Sequence, residues 1–211
     1  MKNKDYNQKV QLDCSKDAVK FLNQLIKKPI SGVEIFLLKS QGSNGISDSL
    51  RFFEKSKIEY EPSCSIKYWD RKDILPVSDV NDFMDEYISV IFKEDFIIKD
   101  QNVIIIDDFQ LFYEYNLIWE YLLDIITDKE LDLLILLGVN EKRCYDLQLL
   151  SDIELKHCKQ VITISNPSQN DTKKLAESFS INVGHLNEIL KGCRCDLKEI
   201  INQIKSISSN N

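Results

Sequence analysis

The feature that most restricts the fold of this chain is the run Val-Ile-Ile-Ile at 103–106, closed by Asp107 and Asp108. Four β-branched apolar residues with no polar residue among them make a strand covered on both faces, which points to the centre of a parallel sheet. Parallel strands need long crossover connections, so the sequence on either side is committed to an α/β layer. Ligands of such sheets gather beyond the carboxyl ends of the strands, where the two carboxylates stand.

A hydrophobic strand ending in acids is also the metal-holding half of a phosphate-loop nucleotide site. The other half is a glycine loop with the pattern Gly, four residues, then Gly-Lys-Ser or Gly-Lys-Thr. The corresponding place here holds an apolar strand over 33–38, the loop Lys-Ser-Gln-Gly-Ser-Asn-Gly at 39–45, and a helix over 47–57. Gly42 and Gly45 match loosely, but Ile46 and Ser47 follow Gly45. Ser47 supplies a hydroxyl. No lysine stands at the helix start, and Lys39 lies before the loop and would have to fold back. These residues favour a loop that keeps the shape and has lost the chemistry, with an ATP-binding site as the alternative. A second reading of the acidic pair is structural, because an Asp at a strand end commonly caps the next helix or turn. Neighbours on an extended strand point to opposite faces, so Asp107 and Asp108 need not converge.

The rest of the chain alternates in kind. Apolar spacing predicts a helix over 16–28, with Ser15 as cap and Pro29 as stop. A short strand over 63–69 has Cys64, Ile66 and Tyr68 on one face, and Trp69 reads as a packing residue at its end. A helix over 79–92 leads to the acidic-ended strand. The segment 109–126 is dense in rings, and Phe112, Tyr113, Tyr115, Trp119 and Tyr121 read either as a contact surface for a partner or as core. A buried strand over 132–138 is followed by Asn140 and Arg143 at the same sheet edge as Asp107, then by a return segment over 149–157 and a last strand over 160–165. The loop 166–171 caps a tail without strands, predicted as helices over 172–179, 183–190 and 196–207. Leu175, Leu186, Ile189, Leu190, Leu197, Ile200, Ile201 and Ile204 form its expected core. The organisation is therefore a flexible arm over 1–15, an α/β core over 16–169 and a three-helix lid over 170–207.

Composition removes several function classes. The net charge is -7 and the arginines are Arg51, Arg71, Arg143 and Arg194 alone, so nucleic-acid binding is an unlikely main activity. No run reaches the ~18 apolar residues of a membrane helix. The start of the chain has no apolar signal core, which sets the expectation of a cytoplasmic protein with its six cysteines as free thiols. Cys193 and Cys195 are separated by one residue, too close for ordinary zinc spacing. His157 and His185 have no nucleophile motif beside them. A Mg²⁺ nuclease built on Asp107, Asp108 and Asp70 fits poorly with the acidic charge.

The order of these pieces resembles an AAA+ ATPase module, an α/β nucleotide-binding core followed by a helical lid. It resembles more closely the degenerate N-terminal domain of the AAA proteins of unassigned role found in plastid genomes and cyanobacteria. The resemblance is carried by the opening helix and strand, Tyr68-Trp69-Asp70, the strand ending at Asp108, the strand over 133–137 and the tail from Val183. It implies a P-loop NTPase-like parallel sheet with a small C-terminal lid. It gives Asp107 the Mg²⁺-holding position and Asp108 the position that polarises water, where Glu is usual. Asn140 falls near the polar sensor position, Gly42, Gly45 and Ser47 match the nucleotide loop, and Arg143 is the nearest candidate for an arginine finger. The family's active second ATPase domain does not follow here. The implied function is a non-catalytic assembly or interaction subunit without a cofactor, paired with itself or with an active AAA+ ATPase, in the cytoplasm or the plastid stroma. The alternatives are an ATP/Mg²⁺-binding protein with an unorthodox loop and a clamp-loader-like replication accessory subunit.

Overall fold

The computed structural model describes residues 12–42, 44–70, 102–111, 132–144, 147–179 and 197–209. The expectations for residues 79–92, for the aromatic contact residues Phe112, Tyr113, Tyr115, Trp119 and Tyr121, for the helix over 183–190 and for Cys193 and Cys195 lie outside them.

A short 3-10 turn, Asp13–Ser15, leads into α1, Lys16–Lys27, and then into strand β1, Val33–Ser40. Helix α2, Ile46–Tyr60, crosses to β2, Ser65–Trp69. Strand β3, Asn102–Ile106, is followed by a 3-10 turn at Phe109–Leu111. Strand β4, Leu133–Asn140, ends in a 3-10 turn, Glu141–Arg143, before α3, Leu147–Lys156, and β5, Gln160–Ile164. Two further helices close the described chain, α4 at Gln169–Ser178 and α5 at Leu197–Ser209.

The strands form one parallel sheet in the order β2-β3-β4-β1-β5. The strand ending at Asp107 is therefore second in the sheet, and β4 holds the centre. Both β3 and β4 are buried along their length and paired on both sides, so an unbroken apolar run identifies an interior strand without saying which one. The edge strands carry the partly exposed patterns expected of them. On one face, Phe21 and Leu22 of α1 and Leu50 and Phe53 of α2 pack on Phe36, Leu38, Val103, Ile105, Leu134 and Leu136. Phe21 meets Phe36 edge-to-face with ring centres 5.3 Å apart.

One charge lies inside this layer. Lys57 of α2 is 1% exposed, and its ammonium donates to the carbonyls of Ile26 (3.1 Å) and Lys28 (3.5 Å) while pairing with Glu61 at 2.8 Å. It satisfies carbonyls that the end of α1 leaves without intrahelical partners. The beginning of α1 differs from the sequence expectation. Ser15 occupies the N-cap position without a side-chain capping bond, and its hydroxyl donates to Leu12 O at 3.3 Å instead.

The helical tail has its own core of Leu12, Leu175, Ala176, Leu197, Ile200 and Ile204, with Ile201 and Phe179 packed against it. Leu12 is part of this cluster, so packing begins inside the segment that sequence assigns to the arm. Asp171, fully buried, explains the attachment: it accepts from the Asp13 amide and from the amide and hydroxyl of Ser168. The Asp171 amide donates in return to the Ser168 hydroxyl oxygen, a capping box that starts α4 at Gln169, three residues before the predicted helix.

A cleft between the sheet edge and the lid

The carboxyl ends of β1, β3 and β4 come together through their register. Ser40 pairs with Asn140 across β1 and β4, and Ile106 pairs with Leu137 across β3 and β4, which sets Asp107 beside Gly138. Beyond this edge lies a cleft of about 510 Å³. One wall is the loop and helix start with Gly42, Gly45 and Ser47; another is Asp107, Asp108, Gly138, Asn140 and Arg143. The third is α5, through Lys198, Ile201, Asn202 and Lys205. Every nucleotide-site candidate from the sequence thus borders one cavity. Arg143, the finger candidate, also lines this chain's own cleft.

Gly45 has φ of 85°, left-handed backbone that suits glycine, and stands at the N-cap of α2. Ile46, in the place where the phosphate-loop pattern has lysine, is buried in the core cluster with Leu50 and Phe53. A Cβ added to Gly138 would come within 2.8 Å of Ile46 Cγ2, so Gly138 is the bare patch of β4 on which Ile46 rests. Lys39 does not fold back. Its ammonium is held at 2.9 Å by Glu154 and at 3.4 Å by Glu141.

The two aspartates do reach the same cavity, because the strand ends at Ile106 and alternation ends with it. Asp108 is the single described non-glycine residue with positive φ, at 55°. Asp tolerates that region better than most residues. Leu111 N donates to its carbonyl at 2.8 Å and Gln110 Nε2 to its Oδ1 at 2.6 Å. Gln110, 1% exposed, accepts from the Asn140 amide at 3.0 Å through Oε1, and so ties Asp108 to the end of β4. The Asn140 side chain accepts from Lys142 N and caps the following turn.

Asp107 is bound from two sides. Its Oδ2 accepts from the Tyr68 hydroxyl at 3.0 Å and its Oδ1 from Asp108 N at 2.9 Å. Burial raises its pKa above the ordinary aspartate value, although the neighbouring hydroxyls of Ser47 and Tyr68 work against the rise. Tyr68 is itself held: the Arg51 guanidinium lies 3.3 Å from its ring centre and pairs with Glu54 and Asp70. Burial, followed by the nearby Asp107 charge, raises the phenol pKa, so Tyr68 keeps its proton and remains a donor.

The AAA+ resemblance read from the sequence implies Mg²⁺ with a nucleotide, and the residues answer unevenly. Among the described residues no group of three or more His, Cys, Asp or Glu side chains is placed to hold a metal. The one carboxylate in the Mg²⁺ position accepts one protein hydrogen bond at each oxygen, which leaves a lone pair on each. The cavity lies in the volume range typical of small-molecule sites, and Arg143, Lys198 and Lys205 line it.

Three contributors escape sequence reasoning. Gln110 is a polar residue next to the acidic pair, which is its only signal. On α5, Lys198, Asn202 and Lys205 recur at four and seven residues, opposite Leu197, Ile200 and Ile204, a signal that was present in the helical period. Asn44, 1% exposed, donates through Nδ2 to Asn166 Oδ1 at 2.8 Å and accepts from Leu197 N at 3.4 Å. That side chain joins the glycine loop to the loop after β5 and to the first turn of α5.

No family model matches the chain, and no curated protein matches it. Solved structures do. Domain III of the Thermotoga maritima replication initiation protein DnaA is similar with a TM-score of 0.64 at 15% identity, over 90% of this chain and 81% of that one. AMPPCP-bound DnaA from Aquifex aeolicus gives 0.64 at 14% identity, over 92% of this chain and 62% of that one. A katanin structure described for self-assembly gives 0.60 at 15% identity, over 92% and 68% of the two chains. The chain thus spans about three-fifths of the longer DnaA. At these identities the likeness carries the fold alone, and the fold is that of P-loop AAA+ domains.

Proposed function

We propose that this chain is an AAA+-like module that does not hydrolyse nucleotide and serves as an assembly or protein-interaction subunit. The observation that carries the reading is Ile46. The residue that should reach the terminal phosphates is a packed core side chain, and Lys39 is already bound to Glu154 and Glu141. Without an ammonium there, the charge developing on a transferred phosphoryl group has no cationic partner on the loop side.

Its partner is a second copy or an active AAA+ ATPase, with Phe112, Tyr113, Tyr115, Trp119 and Tyr121 as the contact residues; Phe109 and Gln110, at the start of the aromatic stretch, are buried and take no part. Self-association is supported by the fold shared with a katanin structure described for self-assembly. The degenerate first domain of the plastid and cyanobacterial AAA proteins is the family setting we favour, and the cytoplasm or plastid stroma the compartment. Turnover at millimolar ATP with Mg²⁺, measured beside light scattering for molar mass, tests the reading. We expect no phosphate release and a defined oligomer or complex. Turnover that disappears in Asp107→Ala overturns it.

A second reading, an ATP-binding protein with an unorthodox loop, is favoured by one observation: Ser47, Asp107 and Asn140 border the same cavity as three cations. A replication-accessory role draws only on the fold shared with DnaA. A mobility shift with DNA tests that role.

A further inference from the structure

We infer that residues 12–15 are a strap that latches the lid helices α4 and α5 to the α/β layer, so that freeing the strap loosens the lid wall of the cleft while the sheet stays folded. The inference concerns control of the lid and does not rest on the non-hydrolysing reading.

Among the described residues the apolar core is in two pieces. One is the cluster of α1, α2 and strand residues on the sheet; the other is the lid cluster of Leu12, Leu175, Ala176, Leu197, Ile200 and Ile204. No residue belongs to both. The lid is therefore held in place by the segments that pass between the two pieces. One of them is the loop from β5 to α4, where Asn166 meets Asn44 of the glycine loop. The strap is the other. It runs without a break into α1, whose Ala18, Phe21 and Leu22 are in the sheet-side cluster, while Leu12, 2% exposed, is in the lid cluster.

The fastenings of the strap all lie on the lid. Leu12 fills the lid core, and Cys14 packs against it. The Asp13 amide donates to Asp171, the buried carboxylate that also caps α4. The Asp13 carboxylate accepts from Lys174 Nζ and from Asn170 Nδ2, each at 2.9 Å. The exposed ion pair contributes little by itself. The hold comes from the buried leucine and from an acceptor that is costly to leave unmet. Ile201 carries the effect to the cleft, since it packs against the lid cluster and also lines the cavity. A strap drawn out of the lid leaves a void beneath α5 and an unmet acceptor at the start of α4. Both weaken the same wall.

The test is hydrogen exchange of the full chain read by mass spectrometry, with the alkylation rate of Cys14 followed beside that of Cys64. Leu12→Ala should speed exchange in α4 and α5 by about 30-fold and leave β1, β3 and β4 within about twofold of the parent. Leu12→Met, which keeps the volume, should restore the parent rates. Asp13→Ala changes an exposed side chain and should speed exchange in α4 by about three- to fivefold; it decides the matter if Leu12→Ala does not fold. In both alanine variants Cys14, packed on the lid cluster, should alkylate faster, whereas Cys64, in the sheet-side cluster, should keep the parent rate. Unchanged exchange in α4 and α5 overturns the inference, because the lid then stands without the strap. Faster exchange spread equally through β1, β3 and β4 overturns it too, because lid and layer then open as one unit.

Discussion

Replacing Gly138 by alanine asks whether Ile46 is built into the wall of the cleft. The new Cβ would lie 2.7 Å from Leu50 Cδ1, 2.8 Å from Ile46 Cγ2 and 3.3 Å from Asp107 Oδ1. Carbon atoms in contact sit ~3.5–4.0 Å apart, so two neighbours must each retreat by about 1 Å. Leu50 is fully buried, and Ile46 is β-branched and stiff about χ1, so neither can simply swing aside. Overpacking of this kind costs about 1–3 kcal/mol. The lower flexibility of alanine in the unfolded chain returns roughly 0.4–1 kcal/mol. The net expectation is a loss of about 1–2 kcal/mol, read in urea as a lower midpoint with an unchanged slope. Ile46→Ala removes the Cγ2 that the new methyl meets and by itself costs about 2–4 kcal/mol. The double variant should then lose less than the sum, by about 1 kcal/mol. Additivity within about 0.5 kcal/mol, or a Gly138→Ala protein as stable as the parent, refutes the packing of Ile46 on β4 and the claim that the lysine position has become structural.

Lys57→Met keeps the stem and removes the ammonium from the Ile26 and Lys28 carbonyls; denaturation should show a loss of about 2–3 kcal/mol, and a neutral outcome removes its role at the end of α1. Asp171→Ala strips the capping box and the Asp13 amide of their acceptor and should cost about 2–3 kcal/mol, measured the same way, with hydrogen exchange rising first in α4. Burial alone would raise the Glu34 pKa, but hydrogen bonds from Lys159 and Lys28 outweigh it and hold the pKa below the ordinary 4.5. A depressed acid stabilises the fold above its unfolded pKa, so this contribution is complete at neutral pH and disappears as pH falls below 4.5 through the folded value. Glu34→Gln should flatten the stability curve in that window. Burial, with help from Asp171 and Glu154 respectively, pushes the thiols of Cys14 and Cys158 up to about 12. Peptide mapping after iodoacetamide at pH 8 should find both modified at least about 100-fold more slowly than in the unfolded chain.

Much of this could be read from the residues because local patterns were strong. The runs in β3 and β4 and the glycine at 45 each state their place in the fold within a few residues. The position of β3 in the sheet could not be read, since burial on both faces is the same for every interior strand. Ser15 looks like a cap, but its hydroxyl turned back to Leu12, whose own place is fixed by a helix more than 150 residues away. The pairing of Gln110 with Asn140 joins positions 30 apart, and that of Asn44 with Leu197 joins positions 153 apart. No period in a sequence encodes such partners. The basic stripe of α5 was readable as a period, yet what it faces depends on where the lid folds back.

The side-chain amide of Asn44 behaves as a pin between two parts of the fold, the glycine loop and the first turn of α5. Pull on the glycine loop and the first turn of α5 must follow or the pin comes out; tilt α5 and the loop feels the same tug. Thermodynamic reciprocity then requires that any factor by which a protein seated on the outer surface of the lid changes the grip of the cleft equal the factor by which a cleft occupant changes that protein's hold.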